Sequence, residues 1–181
     1  MPTFVRLGEL SDTALIRRVR AGDEEGFRAL YQRHTPGLYM LLLRLLAGNS
    51  ADADDALQET WMACCRGLHR FRGESAFATW LTRIGIRTAR SHLRLVMAGG
   101  EFIEAIPAAS PPFSLATRID LDRAISRLPD HQRAILVLHD VEGFTHEEIS
   151  SHLGIPVGTS KVTLSRGRAS VRRLLAEGVP A

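Results

Sequence analysis

Lys161, Arg166, Arg168, Arg172 and Arg173 lie in a stretch, 161–173, that contains no acidic residue. The chemistry such a run supports is non-covalent. Ammonium and guanidinium groups pair with phosphate oxygens, and the arginine fork also fits the edge of guanine. The residues just before it, Thr145-His146-Glu147-Glu148-Ile149-Ser150-Ser151-His152-Leu153-Gly154, predict a short helix. Thr145 with Glu148 fits a capping box, Ile149 and Leu153 share a face, and Gly154 suits a left-handed helix end. Pro156 then suits the first turn of a second helix. A short helix, a glycine turn and a cationic helix make a helix-turn-helix, the arrangement that enters a DNA major groove.

A second basic zone lies upstream. Arg66, Arg70, Arg72, Arg83, Arg87, Arg90 and Arg94 face one acid, Glu74, so the zone carries seven minus one, or +6. Phe71, Phe77 and Trp80 sit among these arginines. Aromatic rings give unpaired bases a stacking surface worth about 1–3 kcal/mol per base, and arginine supplies charge beside them. The apolar spacing of Phe77 with Leu81 and Ile84 also suits a core position, and Trp80 fits either role. Immediately before this zone, Asp52 to Trp61 holds four acids (Asp52, Asp54, Asp55, Glu59) and no base. A phosphate backbone would repel that segment, so the charge pattern points to two different partners.

Catalytic and metal-binding patterns are lacking. His146-Glu147 begins a zinc-protease motif, but the second histidine would fall at Ser150. Gly158-Thr159-Ser160 lacks the Gly-Lys pair of a phosphate loop, and no strand precedes it. Acid, base and nucleophile do not converge at any recognisable spacing. The expectation is no catalytic residue, no metal and no cofactor. Cys64 and Cys65 are adjacent and form no CxxC pattern; they read as buried helical residues in a reducing cytosol. The longest apolar stretch, Leu38 to Leu46, is broken by Arg44 and is too short to span a membrane. The N-terminus lacks the basic-then-apolar layout of a signal peptide. These features predict a cytoplasmic protein without membrane insertion of its own.

Around these segments the 181-residue chain is helical in period almost throughout. A first helix opens at Ser11 or Asp12 and closes at Gly22. Asp23 caps a second, which Pro36 should kink or interrupt and Gly48-Asn49 should end. A third runs from about Ala51 to Leu68, and a fourth is capped by Ser75 and runs to about Val96. From Ala98 to Leu115 there are two glycines, three prolines and no base, which reads as a linker. Helices follow at Arg118–Leu128 and, after Pro129, at Asp130–Val141, before the helix-turn-helix. The predicted fold is all-α: two small helical domains, 1–97 and 116–181, joined by a flexible linker, 98–115.

Four blocks in order resemble the bacterial RNA polymerase sigma factors of the sigma-70 family, in particular the small extracytoplasmic-function group. They are Asp12 to Tyr39, Asp52-Ala53-Asp54-Asp55-Ala56-Leu57-Gln58-Glu59-Thr60-Trp61, Phe71-Arg72-Gly73-Glu74-Ser75-Ala76-Phe77-Ala78-Thr79-Trp80-Leu81, and Leu128-Pro129 through Leu175. The resemblance covers roughly Ser11 to Leu175. It implies that 1–97 is sigma region 2 and 116–181 sigma region 4. Asp52, Asp54, Asp55, Gln58, Glu59 and Trp61 would contact the polymerase clamp of the beta-prime chain, and the C-terminal domain would lie against the beta flap. Arg70, Phe71, Arg72, Ser75, Trp80, Arg83, Arg87, Arg90 and Arg94 would hold the melted minus-ten element, with a flipped base captured before Ser75. Thr159, Lys161, Val162, Thr163, Ser165, Arg166 and Arg168 would read the duplex minus-thirty-five element. The implied partners are core RNA polymerase, promoter DNA as duplex and as single strand, and an anti-sigma protein.

The chain departs from the family at two places. The recognition helix commonly reads Gly-Thr-Val-Lys-Ser-Arg-Leu; here Val162 and Thr163 replace Ser and Arg, which predicts an unusual minus-thirty-five preference or weaker upstream affinity. Arg87 stands where the group often has Asn. The competing reading is a stand-alone helix-turn-helix regulator, which would have no use for the acidic helix or the aromatic basic zone.

Overall fold

A computed structural model of the protein describes residues 9–93 and 115–177, with side chains from 120 onward in the second stretch. The described residues are helical and contain no strand. Helix α1 spans Asp12–Arg20, α2 Glu24–Leu45, α3 Ser50–Gly67 and α4 Phe77–His92, with a 3-10 turn at Leu68–Arg70 between α3 and α4. Helix α5 spans Leu115–Ser126, α6 Asp130–Leu136, α7 His146–Leu153 and α8 Val157–Ala176. A π turn at Val137–Val141 extends α6. The reading as all-α holds. Of the linker 98–115, only Leu115 falls among the described residues, where it opens α5.

The helix starts are set by side chains. Ser11 accepts from the Ala14 amide, Asp23 from those of Glu25 and Gly26, and Asn49 from those of Ala51 and Asp52. Each satisfies amide donors that the first helical turn leaves without a partner. Pro36 neither breaks nor ends α2, which runs through it. Ser75 does not cap α4: the N-cap is Ala76, which makes no side-chain cap, and Ser75 lies one residue outside the helix.

Helices α1 to α4 surround a core of Leu15, Leu30, Leu41, Leu42, Leu45, Leu81 and Ile86, all essentially unexposed. Gly85 lets α4 approach α2: a Cβ there would stand 2.8 Å from Leu38 Cδ1. Thr60 and Thr88 share a 2.8 Å hydroxyl–hydroxyl bond that fixes α3 against α4. Helices α5 to α8 enclose a second core of Ile135, Val137, Leu138 and Ile149. The two helical groups also touch each other, through α2 with α5 and α6 and through α4 with α7.

Candidate nucleic-acid interface and docking groove

The acidic helix borders an apolar groove. Phe27 and Tyr31 on α2 pack with Trp61 on α3, the Phe27 and Trp61 rings edge-on at 5.7 Å and the Tyr31 and Trp61 rings 4.9 Å apart. Leu57, Met62 and Cys65 complete the wall, with Asp54, Gln58 and Arg66 also lining it. Tyr31 and Met62 are unusually open for large apolar side chains, at 40% and 46% exposure. Asp54, Asp55, Gln58 and Glu59 are exposed; Asp52 is half-buried and accepts from Asn49 Nδ2 at 2.7 Å. Trp61 departs from the expectation of a surface contact. It is 5% exposed because it lies on the same inward strip as Ala53, Ala56, Thr60 and Cys64. It therefore floors the groove, with its indole Nε1 buried and unpartnered among the described residues. Sequence reasoning missed Phe27 and Tyr31 as partners of this surface; their four-residue spacing was the available signal. The cysteines also differ from each other. Burial pushes the Cys64 thiol up to about 12, whereas Cys65 is exposed at the groove edge.

The basic aromatic zone forms a second, separate site. Phe71, Phe77 and Trp80 cluster with centroids 5.1 to 6.0 Å apart, and the His34 ring meets Phe77 edge-on at 5.0 Å. Arg20 holds this region to α1, donating from Nη2 to the Leu68 carbonyl at 3.0 Å and also to the Phe71 carbonyl. The loop 71–76 turns through Gly73, whose φ of +76° is costly for other residues. Between the loop and α1 lies a slot lined by Phe71, Gly73, Ser75 and Phe77 on one side and Asp12 and Arg33 on the other. Arg33 Nη1 donates to Asp12 Oδ1 at 2.7 Å, so a charged pair borders an aromatic floor. Nothing in the sequence spacing marked Asp12 and Arg33 as lining residues. Phe77 is buried, and Trp80 is half-buried against Gly67, so its ring both packs and borders the surface. Arg70, Arg72, Arg87 and Arg90 are exposed and Arg83 is half-buried; Arg94 lies outside the described residues. Arg83, Arg87 and Arg90 share one face of α4 by their three- and four-residue spacing.

The helix-turn-helix has the predicted geometry. Thr145 and Glu148 form the full capping box, and Gly154 takes φ +70° at the end of α7. On α8, Thr159, Lys161, Ser165 and Arg168 are exposed, and Val162 and Arg166 are half-buried. Thr163 corrects the sequence reading: at 7% exposure it cannot reach a base edge. It belongs to the inward strip of Ser160, Leu164, Gly167 and Val171 that faces the module core. Ser160 bonds His146 Nδ1 at 2.9 Å, the His146 ring stacks 4.6 Å from His139, and His139 Nδ1 is 2.9 Å from Asp140 Oδ1. Asp140 accepts from Arg168 Nε at 2.9 Å and Nη2 at 2.6 Å. Burial opposes ionisation of Asp140, but the hydrogen bonds from Arg168 and His139 outweigh it and hold the carboxyl below its ordinary range.

Three histidines of this module are pushed down by burial: His131, His146 and His152. Nearby positive charge adds to the effect, from Arg166 at His131, from His139 and Lys161 at His146, and from Arg83 at His152. Their folded-state values lie below the ordinary 6.5, so as pH falls through 6.5 the unfolded chain binds protons that the folded chain does not. Stability is therefore present above that range and is lost on acidification. The melting temperature at pH 6.0 is expected to be lower than at pH 7.5 by a few degrees, of the order that small ΔΔG values give. An equal or higher value at pH 6.0 would contradict these environments. The depressed carboxylates Asp140 and Glu148 act only further down, below their ordinary 3.8 and 4.5.

Among the described residues no helix is long and apolar enough to cross a membrane, and no group of three or more His, Cys, Asp or Glu side chains is placed to hold a metal. Two family models match the chain, Sigma-70 region 2 over residues 30–95 and Sigma-70 region 4 over residues 118–171. The fold is thus that of a promoter-specificity subunit of RNA polymerase. Over 169 residues the chain is 36% identical to the ECF RNA polymerase sigma factor SigM of Mycobacterium tuberculosis (strain ATCC 25618 / H37Rv), covering 92% of this chain and 86% of that one. It is 32% identical over 180 residues to the ECF RNA polymerase sigma-E factor of Escherichia coli (strain K12), covering 90% and 93%. Among solved structures it resembles CnrH in complex with the cytosolic domain of CnrY, with a TM-score of 0.58 and 25% identity over 92% of this chain and 97% of that one. The fold is also shared with the sigma factor RpoE bound to the anti-sigma factor NepR from Bartonella quintana, with a TM-score of 0.58 and 24% identity over 83% and 96%. The chain belongs to the ECF sigma factors of the sigma-70 family, and it directs RNA polymerase to promoters.

Proposed function

We propose that residues 1–97 act as sigma region 2, residues 98–115 as a linker and residues 116–181 as sigma region 4, with each surface assigned to one partner. The groove of Phe27, Tyr31 and Trp61, rimmed by Asp54, Asp55, Gln58 and Glu59, docks the beta-prime clamp of core RNA polymerase. The Phe71–Phe77 slot takes a base flipped out of the minus-ten element, with Ser75 at its mouth and Arg70, Arg72 and the α4 arginines along the displaced strand. Extraction of a base costs a few kcal/mol, which stacking and phosphate contacts offset. Helix α8 lies in the duplex at the minus-thirty-five element, and its module meets the beta flap. The protein acts in the cytoplasm, has no catalytic site of its own and is held in check by an anti-sigma protein. One observation carries this reading. The acidic aromatic groove and the arginine-bordered slot share no lining residue, so one helical module can engage a protein and an opened DNA strand at the same time.

The recognition helix offers a direct test. Arg168 donates through Nε and Nη2 to Asp140, which uses two of its five N–H donors and fixes the orientation of the guanidinium. In this reading the exposed, pre-oriented Arg168 is assigned to a phosphate. Arg168→Ala is expected to weaken upstream binding evenly across sequences and to lower the salt slope by about one. Arg166→Ala is expected to cost about 1–3 kcal/mol and to relax preference at one position. Binding selections on randomised minus-thirty-five duplexes with the reconstituted holoenzyme read both. A changed base preference in Arg168→Ala, or an unchanged profile in Arg166→Ala, would refute the assignment.

A further inference from the structure

Lys161, Ser165 and Arg168 follow one another at steps of four and three, so they form one exposed strip along α8. Polar side chains from the π turn and α7 are built against that strip. His146, the first residue of α7, meets the fully buried Ser160 hydroxyl through Nδ1 at 2.9 Å. His139 of the π turn stacks on it, with ring centroids 4.6 Å apart and planes tilted by 33°. The other side of His139 meets Asp140 at 2.9 Å, and Asp140 in turn holds two nitrogens of Arg168. Both imidazoles are half-buried. Holding α8 in place needs only Ser160 and one partner. A second imidazole against the first adds repulsion whenever both are charged, so two rings this close take up their protons as a coupled pair.

The charges around the pair are balanced. His146 is faced by His139 from the π turn, by Lys161 and Arg168 from α8, and by Glu147 from its own helix. His139 is faced by Asp140 and His146. With neutral rings, Lys161 and Arg168 are matched by Asp140 and Glu147, so two positive and two negative groups leave zero. One protonated imidazole turns the patch positive, which is what a phosphate requires. In the free chain, burial and then the neighbouring positive charges hold His146 below its ordinary range. A phosphodiester on the Lys161–Arg168 strip reverses that field, because a nearby opposite charge favours the protonated ring. The ring can change state without stranding a polar atom. Nδ1 accepts from the Ser160 hydroxyl when it is bare and donates to the same oxygen when it carries a proton.

We propose that the stacked His139–His146 pair is a phosphate-binding site beside α8, which takes up one proton when the recognition helix seats on duplex DNA. The proposal rests on the reading of α8 as the upstream-element helix. His146 titrates below 6.5 in the free chain and higher in the complex, so between the two values the complex holds a proton that the free chain lacks. Upstream affinity therefore rises as pH falls through that window, and levels off once the free chain is protonated as well. A phosphate held by arginine alone gives no such slope, because a guanidinium stays charged throughout.

The test uses holoenzyme reconstituted with core polymerase and the fluorescein-labelled upstream duplex enriched in the selections above. Anisotropy gives its affinity at pH 6.0 and 7.5, and comparison of parent with variant at each pH removes any effect of pH on core itself. The parent is expected to bind about fivefold more tightly at pH 6.0 than at 7.5. His146→Gln keeps a side chain able to bond Ser160 and is expected to lose that gain, with its deficit concentrated at pH 6.0. Equal weakening at both pH values would mark His146 as purely structural and overturn the proposal. A parent that binds the duplex without pH dependence, or a variant that keeps the parent's dependence, overturns it too, while α8 remains the upstream reader. A parent that binds the duplex at neither pH overturns the reading of α8 and the proposal with it. Should His146→Gln unfold its module by circular dichroism, His139→Gln decides. Removing the neighbouring ring is expected to move the midpoint of the affinity gain to higher pH, and an unmoved midpoint contradicts a shared proton.

Discussion

Asp55→Arg is expected to abolish recovery of the protein with core RNA polymerase while leaving its melting temperature within a degree or two of the parent. Asp55 is exposed on α3, one turn from Glu59 and next to the groove-lining Asp54. Among the described residues no hydrogen bond or ion pair holds its carboxylate, so the substitution breaks no internal pair there. A change beyond the first helical turn also loses little dipole energy. At an interface the same change is large. Losing one member of a desolvated charge pair typically costs 2–5 kcal/mol, about 30- to several-thousand-fold in affinity, and an arginine against a basic partner adds repulsion. Pull-down with purified core, alongside Glu147→Arg as a control of equal charge change, measures the effect. Retention of Asp55→Arg at parental affinity would mean that α3 is not the docking helix.

Phe77→Ala is expected to have the largest effect on stability. Phe77 is 3% exposed at the first position of α4 and meets His34, Phe71 and Trp80. Truncation of a buried phenylalanine costs about 3–5 kcal/mol from lost burial and the cavity left behind. That is a large share of the roughly 5–15 kcal/mol that holds a domain folded. The ring is also the floor of the slot, so promoter opening should fail at temperatures where the variant remains folded. Urea denaturation gives the first quantity and permanganate footprinting the second. Phe77→Leu keeps most of the apolar volume and should recover most of the stability without restoring a stacking surface. A stability loss in Phe77→Ala below 1 kcal/mol would show that the aromatic cluster is not packed as described.

Local chemistry was legible in the sequence. Thr145 with Glu148, Asp23 and Gly154 each carry their structural role in their type and position, because caps and left-handed turns depend on neighbours within a few residues. The class of fold and the order of helices followed from the same periodicity. Burial misled where a functional reading overrode that period. Trp61 and Thr163 both fall on inward strips that the spacing of Ala53, Ala56, Thr60 and Cys64, or of Ser160, Leu164 and Gly167, already marked. Ser75 has the chemistry of a cap, but the α4 backbone begins one residue too late for it to serve. Contacts between distant segments were not legible at all. An arginine at 133 resembles any charge on a helix until the Leu45 carbonyl is placed beside it, and Asp12 with Arg33 became a wall of the slot only when α1 and α2 packed together.

The central claim is that this helical chain places RNA polymerase at promoters by holding the enzyme and the opened strand on separate surfaces. Run-off transcription on a genomic library, with purified core polymerase and the full chain, tests it most directly. The expected result is a set of start sites absent with core alone, sharing two upstream motifs more than two duplex turns apart. Transcripts no different from those of core alone would contradict the account.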